Sequence, residues 1–289
     1  MKNATWTSRL VYYGQWALPG RLLTRLAGAL AQSRIAWFKN GLIRLFIARY
    51  KVDLDEAMYS DLRQYPNFNA FFIRTLRPGT RPQDSDHRSL IAPCDGEISA
   101  AGTLGEGLLI QAKGYRYPLS TLIAGDDDEV GRFLGGEYLT IYLAPCDYHR
   151  VHMPLAGRLQ MTRHIPGRLF SVHPKSVAAV PDIYTRNERL YCRFALPQSD
   201  RQWGLVMVGA LLVAGIETVW AGRSSAARRV EARDRFDPAV MLQRGMEMAR
   251  FNYGSTVILL VPPGTVRWRG GLEPGRRLKT AEALGWLNG

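Results

Sequence analysis

The sequence predicts an α+β fold, mostly β, preceded by amphipathic helices suited to a membrane surface. Three observations predict it. The first 52 residues hold nine basic side chains and no acidic one, interleaved with aromatics. Beyond about residue 80 the chain breaks into short apolar or alternating runs separated by Gly and Pro. Near the end, the run Val257-Ile258-Leu259-Leu260-Val261 follows a Gly254-Ser255-Thr256 step. It is too short for an ordinary helix and rich in β-branched residues, so a buried strand is expected there.

At 289 residues the chain can bury a large core as one domain, or as one domain with an appendage. Its 46% apolar content excludes a disordered chain. The net charge of +13 points to an anionic partner, either nucleic acid or an anionic membrane. Three cysteines, Cys94, Cys146 and Cys192, are too few and too scattered for a disulfide framework, and fit a reducing compartment.

In the basic segment, Leu22, Leu23, Leu26, Ala29 and Leu30 fall on one helical face. Arg21, Thr24, Arg25, Gly28 and Gln32 fall on the other. Phe38, Leu42, Leu45 and Phe46 repeat the spacing less cleanly. Neither apolar run reaches the roughly 20 residues of a spanning helix. The pattern fits helices lying in a membrane interface, with Trp and Tyr at headgroup level. A targeting peptide, nucleic-acid binding and simple packing are the alternatives. Nucleic acid leaves the apolar stripe without a use, and no compact apolar core with a cleavage site supports a secretory signal.

From Asp53 the composition changes. Leu54 to Leu62 carries Asp55, Glu56 and Asp61 and reads as a short acidic helix. The Pro and Gly cluster around Pro78-Gly79 marks a boundary near residue 80. Glu137 to Ala144 alternates as a half-buried strand. Trp203 to Gly222 is almost wholly apolar, yet Gly204, Gly209, Gly215 and Gly222 break it and Glu217 lies inside it. Two buried strands joined around residues 209–215 are expected, not a membrane span.

Chemistry concentrates in three places. Gly254 has no Cβ, so the main chain beside Ser255 is open to close approach. A serine hydroxyl needs a base to become a nucleophile. Asp147-Tyr148-His149-Arg150-Val151-His152 supplies two of the five histidines, at the end of an expected strand. Asp95 lies in the turn Pro93-Cys94-Asp95-Gly96. Asp95, His152 and Ser255 can be drawn as acid, base and nucleophile. Two other readings use the same residues: zinc held by Cys94, Cys146, His149 and His152, and a serine hydrolase, though no Gly-x-Ser-x-Gly surrounds Ser255. Regular strand geometry would send positions 149 and 152 to opposite faces, so a shared site requires a turn or bulge between them.

Further motifs, in order, are Phe68-Asn69-Ala70-Phe71-Phe72-Ile73-Arg74, Gln111-Ala112-Lys113-Gly114, Pro166-Gly167-Arg168-Leu169-Phe170-Ser171-Val172, Arg186-Asn187-Glu188-Arg189 and Val208-Gly209-Ala210. With the Asp-Tyr-His-Arg-Val-His and Gly-Ser-Thr elements, this set resembles the bacterial type of the phosphatidylserine decarboxylase proenzyme family, which is pyruvoyl-dependent. Three departures stand out: His173 where the family usually has Asn, Val213-Ala214-Gly215-Ile216 for Val-Gly-Ser-Ile, and Ala249 for a common Gly.

The resemblance implies a division into a basic membrane-association region, residues 1–60, and a β-rich decarboxylase domain, residues 61–289. Self-cleavage between Gly254 and Ser255 would give a large chain, 1–254, and a small chain, 255–289. His152, oriented by Asp95, would deprotonate Ser255, and Ser255 would become the pyruvoyl group. That group would form a Schiff base with phosphatidylserine, and loss of CO2 would yield phosphatidylethanolamine, with His149 returning a proton. No metal is implied. The implied partners are phosphatidylserine in an anionic membrane, the paired large and small chains, and a second copy in a homodimer, with no nucleic acid. The implied place is peripheral, on the cytoplasmic face of the inner membrane.

Overall fold

Nine strands frame the site: β1 (Gly96–Thr103), β2 (Glu137–Leu143), β3 (Arg150–His152), β4 (Gly157–Ile165), β5 (Arg189–Ala195), β6 (Gln202–Val208), β7 (Ile216–Thr218), β8 (Glu247–Phe251) and β9 (Ser255–Val261). The computed structural model describes residues 20–111, 114–197, 199–211, 215–223, 229–252 and 255–288. The fold is β-rich with a few short helices.

The main sheet runs Glu231–Arg233, β4, β5, β6, β9, β2, β1 and Arg277–Leu278, with Met241–Leu242 also beside β4. Its pairings are antiparallel. All seven residues of β9 are buried, because both faces of the sheet are covered. Val257, Leu259 and Val261 enter one apolar core, while Ile258 and Leu260 enter the other. The period of two sends neighbours to opposite faces, which is why an unbroken apolar run suits this strand. Each such side chain contributes about 1.5–3 kcal/mol on burial.

The same covering corrects the expectation for β2. Leu139, Ile141 and Leu143 face one core, but Tyr138 and Tyr142 are buried in the second. The alternation there is aliphatic against aromatic, not inside against outside. The Tyr138 hydroxyl accepts from Ile110 N at 2.9 Å. The Trp203–Gly222 stretch does form two strands, β6 and β7. Among the described residues, no helix is long and apolar enough to cross a membrane.

Helices Gly20–Ala31 and Ala36–Tyr50 precede the sheets. Ile43 is fully buried with Phe68, Phe71 and Phe72 of the next helix, and Phe46 packs edge-on against those three rings. One small core therefore joins residues on both sides of position 60. The side chains of Leu22 and Leu23 lie outside the described set. Leu26 and Leu30 are more than half exposed, as are Ile35, Trp37 and Leu45. The acidic helix expected over 54–62 is absent. Asp53 Oδ1 accepts from Asp55 N, Ala57 bridges Leu76, and only Leu62–Gln64 forms a 3₁₀ turn, with Asp61 accepting from Arg63 N. Aspartates that bond their own backbone compete with a helix.

Several motif residues are structural clamps. Gln111 donates to Val177 O and Val180 O and accepts from Ile183 N. Asn187 accepts from Phe170 N and donates to Phe170 O and Gly209 O. His173, in place of Asn, still caps the Pro174–Val177 helix, because its Nδ1 accepts from Lys175 N at 3.2 Å.

Candidate active site

Ser255 is the first residue of β9, paired with Leu143 of β2. It is fully buried, and its Oγ has no hydrogen-bond partner among the described residues. Buried hydroxyls ordinarily find one, so such an atom asks for an explanation. Asn252 Oδ1, three residues earlier, is in the same condition. Tyr253 and Gly254 lie outside the described residues, so the expected scissile link is not described.

The turn that follows β2 presents the first histidine. Asp147 N donates to Ala144 O, and the Asp147 carboxylate accepts from Ala144 N at 2.7 Å and pairs with Arg277. Beyond that turn, His149 Nε2 donates back to Ala144 O at 3.0 Å. This leaves Nδ1 with the lone pair, buried and unpartnered. The His149 carbonyl accepts from Phe251 N at 3.0 Å. His149 is thus tied to β8, just before Ser255, and to the residue after Leu143, the pairing partner of Ser255. Burial, reinforced by the nearby Arg74 cation, pushes its pKa down to about 3, so the ring is neutral.

His152 ends β3, whose neighbour is β8. Its Nδ1 donates to Gly245 O at 2.8 Å, and its Nε2 accepts from the Tyr148 hydroxyl at 2.9 Å. Burial pushes its pKa down as well. His149 precedes β3, which begins at Arg150, so the two histidines do not lie on one regular strand; the register shift of the β3–β8 pair is in β8, between Glu247 and Ala249. The two imidazoles end on different partners. Arg150 between them is held by Glu247 at 2.6 Å and donates to Ile73 O.

The fold brings Asp95 close to this region, since His152 N donates to Pro93 O. The direct Asp95–His152 hydrogen bond drawn from the sequence is nevertheless not formed. The Asp95 carboxylate accepts from Thr280 N and Oγ1 at 2.7 and 2.9 Å and from Arg81 Nη2 at 2.9 Å. Charge-assisted donors outcompete a neutral imidazole for a buried carboxylate. Gly96 lets this turn press on β2: a Cβ there would strike Tyr142 O. Sequence reading missed Tyr148 and Arg81 as partners. Tyr148 lay inside the histidine motif itself. Arg81 gave no signal, because it sits in a loop that reads only as a boundary.

Cys94 and Cys192 are buried and Cys146 is half-buried, all as free thiols. Among the described residues no three His, Cys, Asp or Glu side chains gather as a metal site.

Comparison with known proteins bears on this arrangement. The phosphatidylserine decarboxylase family model matches residues 68–286, and a second model, described as PSD, matches residues 10–51. The phosphatidylserine decarboxylase proenzyme of Pseudomonas putida is 43% identical over 281 residues, covering 96% of this chain and 97% of the relative. The proenzyme of Azotobacter vinelandii is 44% identical over 284 residues, covering 96% and 98%. That of Pseudomonas entomophila is 44% identical over 281 residues, covering 96% and 97%. The matched span takes in the buried serine, both histidines and the aspartate, and on that span and identity the chain belongs to the phosphatidylserine decarboxylase family.

Proposed function

We propose that this chain is a self-processing phosphatidylserine decarboxylase, a carboxy-lyase whose pyruvoyl group derives from Ser255. The observation that carries the reading is the buried Ser255 hydroxyl at the head of β9, unpartnered among the described residues, on a strand paired with the one whose following turn holds the neutral, buried His149, in a chain of this family. A serine that stays a serine has no reason to leave its hydroxyl unsatisfied in the core. A serine that is consumed does.

Processing uses the chain's own groups. A neutral imidazole takes the Oγ proton, and Oγ attacks the Gly254 carbonyl carbon. The peptide C–N bond breaks and an ester C–O bond forms, leaving a free amine at residue 255. Loss of the Cα proton then expels the Gly254 carboxylate. The dehydroalanine left behind tautomerises, and water releases ammonia to give the ketone. We assign His152 to this stage. Gly245 O fixes its tautomer with the lone pair on Nε2, and the Tyr148 hydroxyl that donates to that lone pair would have to turn away for Nε2 to take the proton. Asp95 supports the stage by holding the Pro93–Gly96 turn, on which the His152 main chain hangs. The pyruvoyl group would supply an electrophilic carbonyl that joins the substrate amine as a Schiff base and accepts the electrons released with CO2. We assign the return of a proton to the substrate carbon to His149, whose unpartnered Nδ1 would have to take that proton up during the reaction. Its position between β8 and the residue after Leu143 supports that role.

The same reading places residues 1–60 on an anionic membrane at the cytoplasmic face, with 61–289 carrying the chemistry. Exposed Leu26, Leu30, Trp37 and Leu45, together with exposed Arg34, Arg44 and Arg49, support it. The test is CO2 release from carboxyl-labelled phosphatidylserine by the purified protein, with phosphatidylethanolamine as product. A processed protein that releases no CO2 would refute the reading.

A further inference from the structure

Arg74 closes the Phe68–Ile73 segment and is only 5% exposed. Its Nη2 donates to Cys146 O at 3.0 Å, while Nε and Nη1 are buried without any partner among the described residues. No carboxylate of the described residues pairs with it. A guanidinium stays charged at any pH a protein meets, and leaving a buried charge unpaired is among the most costly arrangements in a fold. The other buried arginine among the described residues shows the contrast: Arg189, 3% exposed, spends its donors on the carbonyls of Leu122, Thr185, Asn187 and Thr121.

The surroundings say what the free donors face. Arg74 lies over the Phe71 ring, 5.7 Å from its centroid. Its one bond reaches the Ala144–Asp147 turn that carries His149, and its charge is felt at the His149 ring. Ala144, Pro145 and Cys146 are half-buried, so this turn is the open side of the site. The adjoining helix Ala36–Tyr50 packs on Phe71 through Phe46 and exposes Trp37 and Leu45 on its outer side. The cation therefore stands between an apolar exposed helix and a reactive buried histidine, where the polar end of an amphiphile would come to rest.

We propose that Arg74 binds the phosphodiester oxyanion of the lipid headgroup. This rests on the reading of the chain as a phosphatidylserine decarboxylase. The headgroup offers two oxyanions, and the chemistry favours the phosphodiester. A cation clamped on the carboxylate would stabilise the group that must leave as CO2 and so oppose the reaction. The phosphodiester persists from substrate to product. The free Nη1, with the second N–H of Nη2, gives two parallel donors that match its two free oxygens.

The experiment compares wild type, Arg74→Gln and Arg74→Lys, each first shown to be cleaved into two chains. CO2 release is measured against the mole fraction of phosphatidylserine in mixed micelles. Inhibition is measured with dihexanoyl glycerophosphoethanolamine, which has the diester and no carboxylate. In Arg74→Gln the KM should rise about 10- to 100-fold, the factor of a charge-assisted hydrogen bond, with kcat little changed. The inhibition constant should rise by the same factor, and Lys should recover part of both. A raised KM with an unchanged inhibition constant would assign Arg74 to the carboxylate and overturn the proposal. Unchanged KM and inhibition would leave Arg74 as a brace for the Cys146 turn and overturn it too. Should Arg74→Gln fail to process, calorimetric binding of the same inhibitor to uncleaved Ser255→Ala, with and without Arg74→Gln, decides the matter: equal affinity rules the proposal out. Wild type without CO2 release would refute the activity itself, whereas an active wild type with indifferent Arg74 variants refutes only the headgroup contact.

Discussion

Phe72 lies nearly face to face with His149, their ring centroids 4.1 Å apart and their planes 26° from parallel. The phenyl ring covers the imidazole in the same small core that anchors the Ala36–Tyr50 helix. It links the N-terminal helices to the candidate site through one stacked pair. It also explains why His149 is neutral, since a covered ring cannot be hydrated as a cation.

Acid should therefore destabilise the fold through the histidines. His149 and His152 have folded pKa values below the unfolded value of about 6.5. The unfolded chain binds more protons below that pH, so this contribution is intact above about 6.5 and is lost as the pH falls. The slope is at most about 1.4 kcal/mol per pH unit for each histidine. Urea midpoints of uncleaved Ser255→Ala between pH 7 and pH 5 should fall more steeply than those of Ser255→Ala/His149→Gln. Parallel curves would show that His149 does not titrate across folding.

The two histidines should separate in their effects. His152→Ala should accumulate the uncleaved chain. His149→Ala should still give both fragments and a trappable ketone, but with turnover lowered about 10²- to 10⁴-fold, the usual contribution of a positioned acid or base. Gel analysis and reductive trapping read both. Equal loss of cleavage in the two variants would mean that the pair acts as one unit on Ser255.

Asp95 acts on processing through its turn, by this account, so Arg81→Gln should slow cleavage in the same direction as Asp95→Asn. Arg81 keeps the Asp95 carboxylate company and is also held by Glu56 at 2.6 Å. That contact, a hydrogen bond first of all, keeps Glu56 at about 2. Cleavage half-times after in vitro synthesis report it. An Arg81→Gln chain that cleaves at the wild-type rate beside a slow Asp95→Asn chain would favour direct action of Asp95 on the imidazole.

Exposed apolar side chains of the first helices should govern membrane binding. Trp37 is 78% exposed and Leu45 67%. Replacing both by Ser should weaken binding to phosphatidylglycerol-containing vesicles at least about tenfold, since each buried apolar side chain contributes about 1.5–3 kcal/mol. Self-cleavage should be unaffected, because neither residue enters the core with Phe71 and Phe72. Flotation at matched ionic strength measures the first. Unchanged flotation would move the membrane contact elsewhere.

Much of this was legible in residue pattern. The apolar β9 run, the glycine-broken Trp203–Gly222 stretch and the basic amphipathic start each carry their physics in local order. The motif residues Asp95, His149, His152 and Ser255 stood out as candidates because few residue types perform such chemistry. What pattern could not carry was partnership. The loops bearing Asp95, Thr280 and Arg81 meet only in three dimensions, so the carboxylate's real donors were invisible. Tyr138 and Tyr142 looked solvent-facing because alternation does not reveal that a second core covers the other face. The acidic segment after Asp53 failed as a helix because its aspartates bond their own backbone.

The central claim is that Ser255 is consumed in making the reactive group. The intact mass of the purified wild-type protein tests it most directly, against Ser255→Ala as the uncleaved control. The account predicts two chains, residues 1–254 and 255–289, the smaller beginning with a pyruvoyl group in place of serine, and a single full-length chain for the variant. A wild-type protein that remains one chain with Ser255 intact while releasing CO2 from phosphatidylserine would contradict it.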